Sequence, residues 1–142
     1  GGFAQFCFAD GHPAVTWSVL GHDRAPKAGF HALVDACRPV IVVCDRPPAE
    51  VPVGTRLALD IHAVSDLPRQ VRGARVGATV RWPGGDESWA WQGDLPADEC
   101  VRIGALDFEV PAAPGPLHID LELEGDGLER VANHYDAVIT DP

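Results

Sequence analysis

After residue 38 the sequence shows no helical periodicity, and short runs of alternating apolar and polar residues take its place. The clearest run, residues 117–123, has Leu or Ile at every second position, with His, Asp or Glu between them. Successive side chains of a strand point to opposite faces, so this run predicts a strand with one buried and one wetted face. Such a strand needs a second layer over its apolar face, which favours a sandwich.

Six further runs predict strands, among them the continuous β-branched run of residues 40–44, and turn clusters such as Pro83-Gly84-Gly85 and Gly125-Asp126-Gly127 separate the strands. In the run from Val101 to Val110 the apolar phase changes at Gly104-Ala105, which predicts a β-bulge. About seven short strands without intervening helices predict a mainly β protein, an antiparallel β-sandwich of immunoglobulin-like type. The other runs cover residues 40–44, 57–61, 76–82, 89–91 and 131–140.

Residues 1–37 contain the one helical pattern of the chain. Apolar residues from Phe30 to Cys37 recur at helical spacing after Pro26, a residue favoured at the start of a helix, and Pro39 ends the pattern. Residues 1–10 are mostly apolar, as in a buried strand. The sequence therefore predicts two parts, residues 1–37 with one strand and one helix, and residues 38–142 with the sandwich.

The formal charge of −10 comes from 21 acidic and 11 basic residues spread along the chain. A surface of this sign repels phosphate backbones, so we expect no nucleic acid as a partner. No apolar run approaches the ~20 residues of a membrane-spanning helix, so we expect no membrane partner. The sequence contains no Met, so we expect it to lie inside a longer protein. The compartment stays open, with the cytoplasm favoured.

The six His and four Cys residues lack the spacing of a metal site, and we expect no metal and no cofactor. No nucleophile elbow or phosphate-binding loop is present either. Cys7, Cys37, Cys44 and Cys100 fall on otherwise apolar segments, which predicts buried free thiols. A disulfide between Cys37 and Cys44 remains an alternative.

Several landmarks in residues 1–37 follow the order found in the last strand and last helix of the catalytic barrel of glycoside hydrolase family 2. This chain resembles the C-terminal part of such an enzyme, closest to its β-mannosidase-like branch, and Asn133-His134-Tyr135 near its end resembles the closing segment of the family's accessory domain. The landmarks are Gln5-Phe6-Cys7-Phe8-Ala9-Asp10, Pro13, Trp17-Ser18, Asp23-Arg24-Ala25-Pro26-Lys27 and the helix through Cys37.

The resemblance implies that residues 1–37 end a (β/α)8 barrel and that residues 38–142 form a non-catalytic C-terminal domain. Retaining hydrolysis requires two carboxyl groups, which the family carries on earlier barrel strands. We therefore expect no catalytic residue and no enzymatic activity in this chain alone, whose partner is the catalytic barrel of its own parent chain. The parent is expected to cleave terminal β-linked sugars, such as β-mannosides, with retention and without a cofactor.

The resemblance makes Phe6, Asp10 and Trp17 the candidate substrate-binding residues of the intact barrel. Asp10 follows the barrel-like strand at the end where barrel enzymes build their sites, and a structural hydrogen bond in the loop is the alternative. Phe6 stands where the family usually has a Trp that lines the sugar pocket, and core packing is its alternative. Trp17 follows the next loop and is expected at the barrel mouth.

Trp89 and Trp91 are two residues apart on one predicted strand, so both side chains point to the same side. They are possible sugar-stacking residues, and packing in the core or at a domain interface is the alternative. Two other functions therefore stay open. One is an independent carbohydrate-binding module that holds an oligosaccharide, and the other is a protein-interaction sandwich that binds no sugar.

Overall fold

The computed structural model describes residues 4–14 and 16–141, and the chain divides into two compact units, Gly1–Arg38 and Pro39–Pro142. The first unit contains one helix, α1 (Ala28–Ala36), which follows Pro26 as the sequence predicts. No side chain of α1 is buried, and Val34 is 46% exposed. The apolar face of this helix is therefore only partly covered, with Phe30 and Leu33 at intermediate exposure.

Residues 4–10 do not form the strand that their composition predicts, and Gly1–Phe3 lie outside the described residues. The Phe8 carbonyl accepts the backbone N–H of Leu20 at 3.0 Å, and Ala9 forms an isolated parallel bridge with Leu20. A buried parallel strand needs neighbours and cover on both faces. Within the described chain the backbone of this segment pairs only with the short stretch of Val19 and Leu20, and its aromatic side chains are exposed.

The second unit is built from eight strands, which confirms the prediction of a mainly β protein. The predicted bounds of the first and last strand are those observed, and the second strand, of three residues, was not predicted. The strands are β1 (Val40–Cys44), β2 (Glu50–Pro52), β3 (Arg56–Ser65), β4 (Val71–Trp82), β5 (Gly85–Leu95), β6 (Glu99–Glu109), β7 (Gly115–Glu124) and β8 (Val131–Thr140).

The strands form a three-stranded sheet in the order β1-β3-β6 and a five-stranded sheet in the order β2-β8-β7-β4-β5. Neighbours are antiparallel except β2 and β8, which run parallel. The β3–β6 ladder shifts register where Ile61 pairs with Gly104 and His62 with Arg102, so Ile103 is the extra residue of a bulge. This bulge is adjacent to the predicted position.

Alternate residues of both sheets point inward and form one buried apolar cluster, so the two sheets pack face to face as a sandwich. The outward face of the five-stranded sheet carries charged pairs, among them Arg81 with Asp120 and Arg130 with Glu122. Pairs as exposed as these are screened by solvent and add little stability. The largest fully buried side chains include Val42, Ile61, Val80, Leu106, Leu117, Ile119, Leu121 and Ile139.

All four cysteines are free thiols, so the alternative disulfide between Cys37 and Cys44 is not formed. The prediction of burial is confirmed for Cys44 and wrong for Cys7, Cys37 and Cys100, which are exposed. Cys37 follows a helix that has no buried residue, and Cys100 lies opposite Val64 on the outer face of the three-stranded sheet. In the described part of the chain, no helix has the length and apolar character needed to cross a bilayer.

Candidate functional site

Asp10 lies at the centre of a polar network in the first unit and is only 6% exposed. Its Oδ2 atom is 2.7 Å from Lys27 Nζ, and its Oδ1 atom accepts hydrogen bonds from Ser18 Oγ at 2.6 Å and from Thr16 Oγ1. Lys27 Nζ also donates to Ser18 Oγ at 2.8 Å. Four residues that are up to 17 positions apart in sequence therefore meet at one carboxylate.

Backbone hydrogen bonds bring these residues together. The Asp10 N–H donates to the Leu20 carbonyl at 3.0 Å, and the Lys27 N–H donates to the Val19 carbonyl at 2.9 Å. The chain reverses between these contacts, where Asp23 Oδ1 accepts the Ala25 N–H at 3.1 Å in the manner of an Asx-turn. The turn therefore fixes the distance between the carboxylate and the ammonium group.

Hydrogen bonds from Lys27, Ser18 and Thr16, in that order of size, hold the pKa of Asp10 far below its ordinary value, against the effect of burial. A carboxyl group that stays ionised does not serve as a general acid. A carboxylate has about four acceptor sites, and these contacts occupy most of them. The observed contacts are structural, and a contact between Asp10 and substrate stays a prediction for the intact barrel.

The aromatic side chains of the first unit lie outside this network. Phe6 is 72% exposed, Trp17 is 75% exposed and Phe8 is 54% exposed. The Gln5 side chain donates to the Trp17 carbonyl at 3.3 Å, which ties the segment 5–6 to the loop that carries Trp17. Exposed apolar side chains this large are typical of surfaces that contact another molecule or domain.

Trp89 and Trp91 lie on β5 opposite Ala78 and Val76, and point between the two sheets. The Trp89 ring centroid is 5.9 Å from that of Phe108 on β6. Both indoles are half-buried and pack against the core cluster. They therefore lie at the opening between β5 and β6, and their outer faces are not a flat platform on the sheet surface.

Trp91 also covers a backbone position on β6. A Cβ atom placed on Gly104 would lie 2.3 Å from Trp91 Nε1, so the indole occupies the space above this glycine. The absence of a side chain at residue 104 is therefore what lets Trp91 approach β6. Sequence analysis places Trp89 and Trp91 on one side of a strand but does not identify Gly104 as their neighbour.

Two depressions on the sandwich share Trp91. A cleft of about 270 Å³ opens between β5 and β6, and a trough of about 410 Å³ crosses the outer face of the five-stranded sheet. Gly77 and Ala90 line the trough together with the charged residues Arg75, Glu122 and Glu124. Residues 4–14 and 16–141 contain no group of three or more His, Cys, Asp or Glu side chains arranged to hold a metal ion.

Neither a protein-family model nor a curated protein sequence matches this chain. Solved structures with a similar fold include the CARDB domain of the PF1109 protein from Pyrococcus furiosus, determined in complex with di-metal ions. The TM-score with this CARDB domain is 0.55 at 16% identity. The match covers 71% of this chain and 87% of the CARDB domain chain. The chain is therefore similar in fold to a small β domain.

Two larger proteins contain a similar region. For Spo0M, a sporulation control protein from Bacillus subtilis, the TM-score is 0.51 at 12% identity, covering 71% of this chain and 49% of Spo0M. The alkylpurine DNA glycosylase AlkC from Pseudomonas fluorescens, bound to DNA, gives a TM-score of 0.53 at 16% identity. The match covers 71% of this chain and 30% of AlkC. This chain thus spans at most half of each. Such low identity shows the fold alone, and none of these proteins is a family 2 glycoside hydrolase.

Proposed function

We propose that residues 38–142 are the non-catalytic C-terminal accessory domain of a retaining family 2 glycoside hydrolase of β-mannosidase-like type, and that residues 1–37 end its catalytic barrel. The observation that carries this proposal is the network at Asp10. Asp10, Ser18 and Lys27 are landmarks on which the sequence resemblance rests, and they are bonded to one another. Residues that a resemblance selects by order alone have no general reason to converge on one carboxylate.

The exposed surface of the first unit also supports the proposal. Large apolar side chains are more often buried than exposed in a folded unit, whereas Phe6, Phe8, Trp17 and Val34 are about half exposed or more. Such side chains are expected where the strands and helices of a larger domain would cover them. In this proposal Phe6 and Trp17 contribute apolar surface to the sugar pocket, and Asp10 holds the loop between them.

The immunoglobulin-like assignment is part of the same proposal. Seven-stranded immunoglobulin sandwiches of the constant type have their first, second, fourth and fifth strands in one sheet and their third, sixth and seventh in the other. The orders β1-β3-β6 and β8-β7-β4 correspond to this pattern without its fourth strand, if β2 and β5 are taken as additional strands of the second sheet. The proposed role of this domain is to cover and stabilise the catalytic domain without contributing a catalytic group.

The test is to sequence the gene on the 5′ side of Gly1, express the complete product and measure hydrolysis of nitrophenyl β-mannoside, β-glucuronide and β-galactoside. We expect an eight-stranded barrel with two catalytic Glu residues, hydrolysis with retention, and a raised KM in Phe6→Ala and Trp17→Ala. Ser88→Ala on the outer face of β5 is the control and should leave KM unchanged. An upstream region that encodes no barrel would refute the proposal.

The alternative of a carbohydrate-binding module makes a different prediction. Its binding residues are Trp89 and Trp91, so titration with mannan or cello-oligosaccharides should shift the tryptophan fluorescence and saturate. The position of both indoles between the sheets leaves little aromatic surface for stacking, which favours the accessory-domain proposal. A saturable shift that disappears in Trp91→Phe would reverse this preference.

A further inference from the structure

The three-stranded sheet has two edge strands, β1 and β6, and side chains of the other sheet form hydrogen bonds with the backbone of β1. On β1, the Cys44 N–H donates to Tyr135 Oη at 3.1 Å, and the Val42 carbonyl accepts from Asn133 Nδ2 at 3.0 Å. Among the described residues β6 pairs only with β3, and β5 pairs only with β4. An edge strand presents a row of unpaired N–H and C=O groups, which is a template for another strand.

The cleft beside this edge has apolar walls. Its volume of about 270 Å³ lies just below the range of about 300–1,000 Å³ that is usual for complete small-molecule ligands. A cleft of this size fits one large apolar side chain. Ile103, the extra residue of the bulge, is one of its walls, together with Val76, Trp91, Leu95 and Val101.

The edge of β6 is also a position where other sandwiches have a further strand. In seven-stranded immunoglobulin sandwiches of the constant type the corresponding sheet has four strands, with the fourth next to the strand equivalent to β6. Here Leu95 and Glu99 are joined by a turn of three residues, so no such strand is inserted between β5 and β6. Among the described residues no strand pairs with this edge of β6.

The negative charge along β5 and β6 favours a partner with basic residues. From Gly85 to Glu109 the chain carries seven carboxylates, of which Asp107 pairs with Arg56, and a single basic residue, Arg102, which pairs with Asp60 at 2.7 Å. Asp94 and Arg102 both line the cleft itself, so the acidic excess lies along the two strands around it. A second copy of this chain, with a formal charge of −10, would bring like charges together. A strand with Lys or Arg residues would be attracted instead.

We propose that the cleft between β5 and β6 binds an extended, basic segment of another polypeptide. One apolar side chain of that segment fills the cleft against Trp91 and Ile103, and its backbone pairs with the free edge of β6. This mode of recognition takes affinity from backbone pairing and specificity from the pocket. The inference concerns the sandwich itself and holds whether or not the parent is a glycoside hydrolase.

The test is isothermal titration of the whole chain with the capped peptide Lys-Val-Lys-Phe-Lys-Val-Lys. We expect saturable binding that weakens as salt is raised, because the rim charges are exposed. Three matched peptides replace Lys by Glu, Phe by Gly, or alternate backbone N–H groups by N-methyl groups. These changes remove, in that order, the charge attraction, the side chain that fills the cleft and the backbone pairing, so each peptide should bind at least about tenfold more weakly.

Two variants and one control locate the site. Ile103→Asn removes an apolar wall, and Glu99→Lys reverses a charge at the start of β6; each should weaken binding by about tenfold. Thermal melts check that Ile103→Asn is folded, and Glu99 is exposed enough for its substitution to leave the core intact. Ser88→Ala should bind as wild type. Unchanged affinity in both variants, equal binding of the N-methylated peptide, or self-association at this edge would overturn the proposal.

Discussion

The phenolic oxygen of Tyr135 on β8 lies 3.1 Å from the backbone nitrogen of Cys44 on β1 and accepts its N–H. Tyr135 belongs to the five-stranded sheet and Cys44 to the three-stranded sheet, so this hydrogen bond joins the two layers. Burial raises the pKa of the Tyr135 hydroxyl, which stays protonated and neutral near pH 7. The Tyr135 hydroxyl of the five-stranded sheet thus accepts a backbone N–H of β1 that a neighbouring strand would otherwise accept.

We expect Tyr135→Phe to lower the free energy of unfolding by about 1–3 kcal/mol, because it leaves the Cys44 N–H without its acceptor. The ring is retained, so apolar packing is preserved. Urea denaturation measures the change. The control is Ala132→Ser, an exposed position on the same strand, which should stay within about 0.5 kcal/mol of wild type. Equal stability of Tyr135→Phe and wild type would contradict the role given to this hydroxyl.

Gly104→Ala should destabilise the sandwich by about 1–3 kcal/mol, because its Cβ would overlap the Trp91 indole and force it to move. The movement should also shift the tryptophan emission maximum to longer wavelength. Gly77→Ala is the matched control, since a Cβ atom there has no heavy atom of the described chain within 4 Å. If both variants melt at the same temperature, Trp91 does not pack on Gly104.

Thiol titration should distinguish Cys44 from the other cysteines. Burial raises the pKa of Cys44 to about 12, so its reactive thiolate is scarce near pH 8. We expect three thiols, those of Cys7, Cys37 and Cys100, to react with a disulfide reagent in the native chain, and four in denaturant. Mass spectrometry of the labelled peptides identifies them. Rapid labelling of Cys44 under native conditions would contradict its burial.

The Asp10 network should respond to acid. The pKa of Asp10 in the folded chain is lowered below its ordinary value of 3.8, so the unfolded chain takes up the proton first as the pH falls. The contribution of this carboxylate is therefore complete above the ordinary pKa and is lost as the pH falls through the lowered one. Carbon-13 NMR of the side chain should show a midpoint below 3.8. Lys27→Gln should raise that midpoint, and an unchanged midpoint would argue against the ion pair.

Truncation tests which unit carries the core. The buried apolar cluster is made of residues between Val40 and Ile139, all in the second unit. We expect removal of residues 1–38 to leave a sandwich that unfolds cooperatively, because this core is retained. Removal of residues 131–142 should abolish cooperative unfolding, since it deletes β8 and leaves β2 without its partner. Calorimetry decides, and an unfolded product of the first truncation would contradict the division into units.

The sequence predicts most strands because alternation is a local signal. In β7, Leu117 and Leu123 alternate with polar residues and are fully buried, as the pattern requires. The short β2 has no such signal, since its three residues include Pro52 and its pairing with β8 joins distant parts of the chain. Helical periodicity in turn predicts α1 but not whether its apolar face is covered, which depends on neighbours and not on spacing.

The candidate site is predictable only in part. The resemblance draws attention to Asp10, Ser18 and Lys27 by their order, but their contact depends on the turn between them, and Thr16 carried no signal. For Trp89 and Trp91, spacing shows that they share a side but not which side. In the β4–β5 register Trp91 lies opposite the buried Val76, so both indoles point toward the interior of the sandwich.

The parallel pairing of β2 with β8 sets the direction in which tension would act on these two strands. In the sequence, β2 and β8 lie near opposite ends of the second unit, and in the sheet they run in the same direction. Tension applied to the two ends of this unit would therefore slide the two strands past one another. Sliding strains the hydrogen bonds of the pair together, whereas peeling would break them one after another. We expect single-molecule pulling to show a distinct force peak that disappears when β2 is replaced by a Gly-Ser linker.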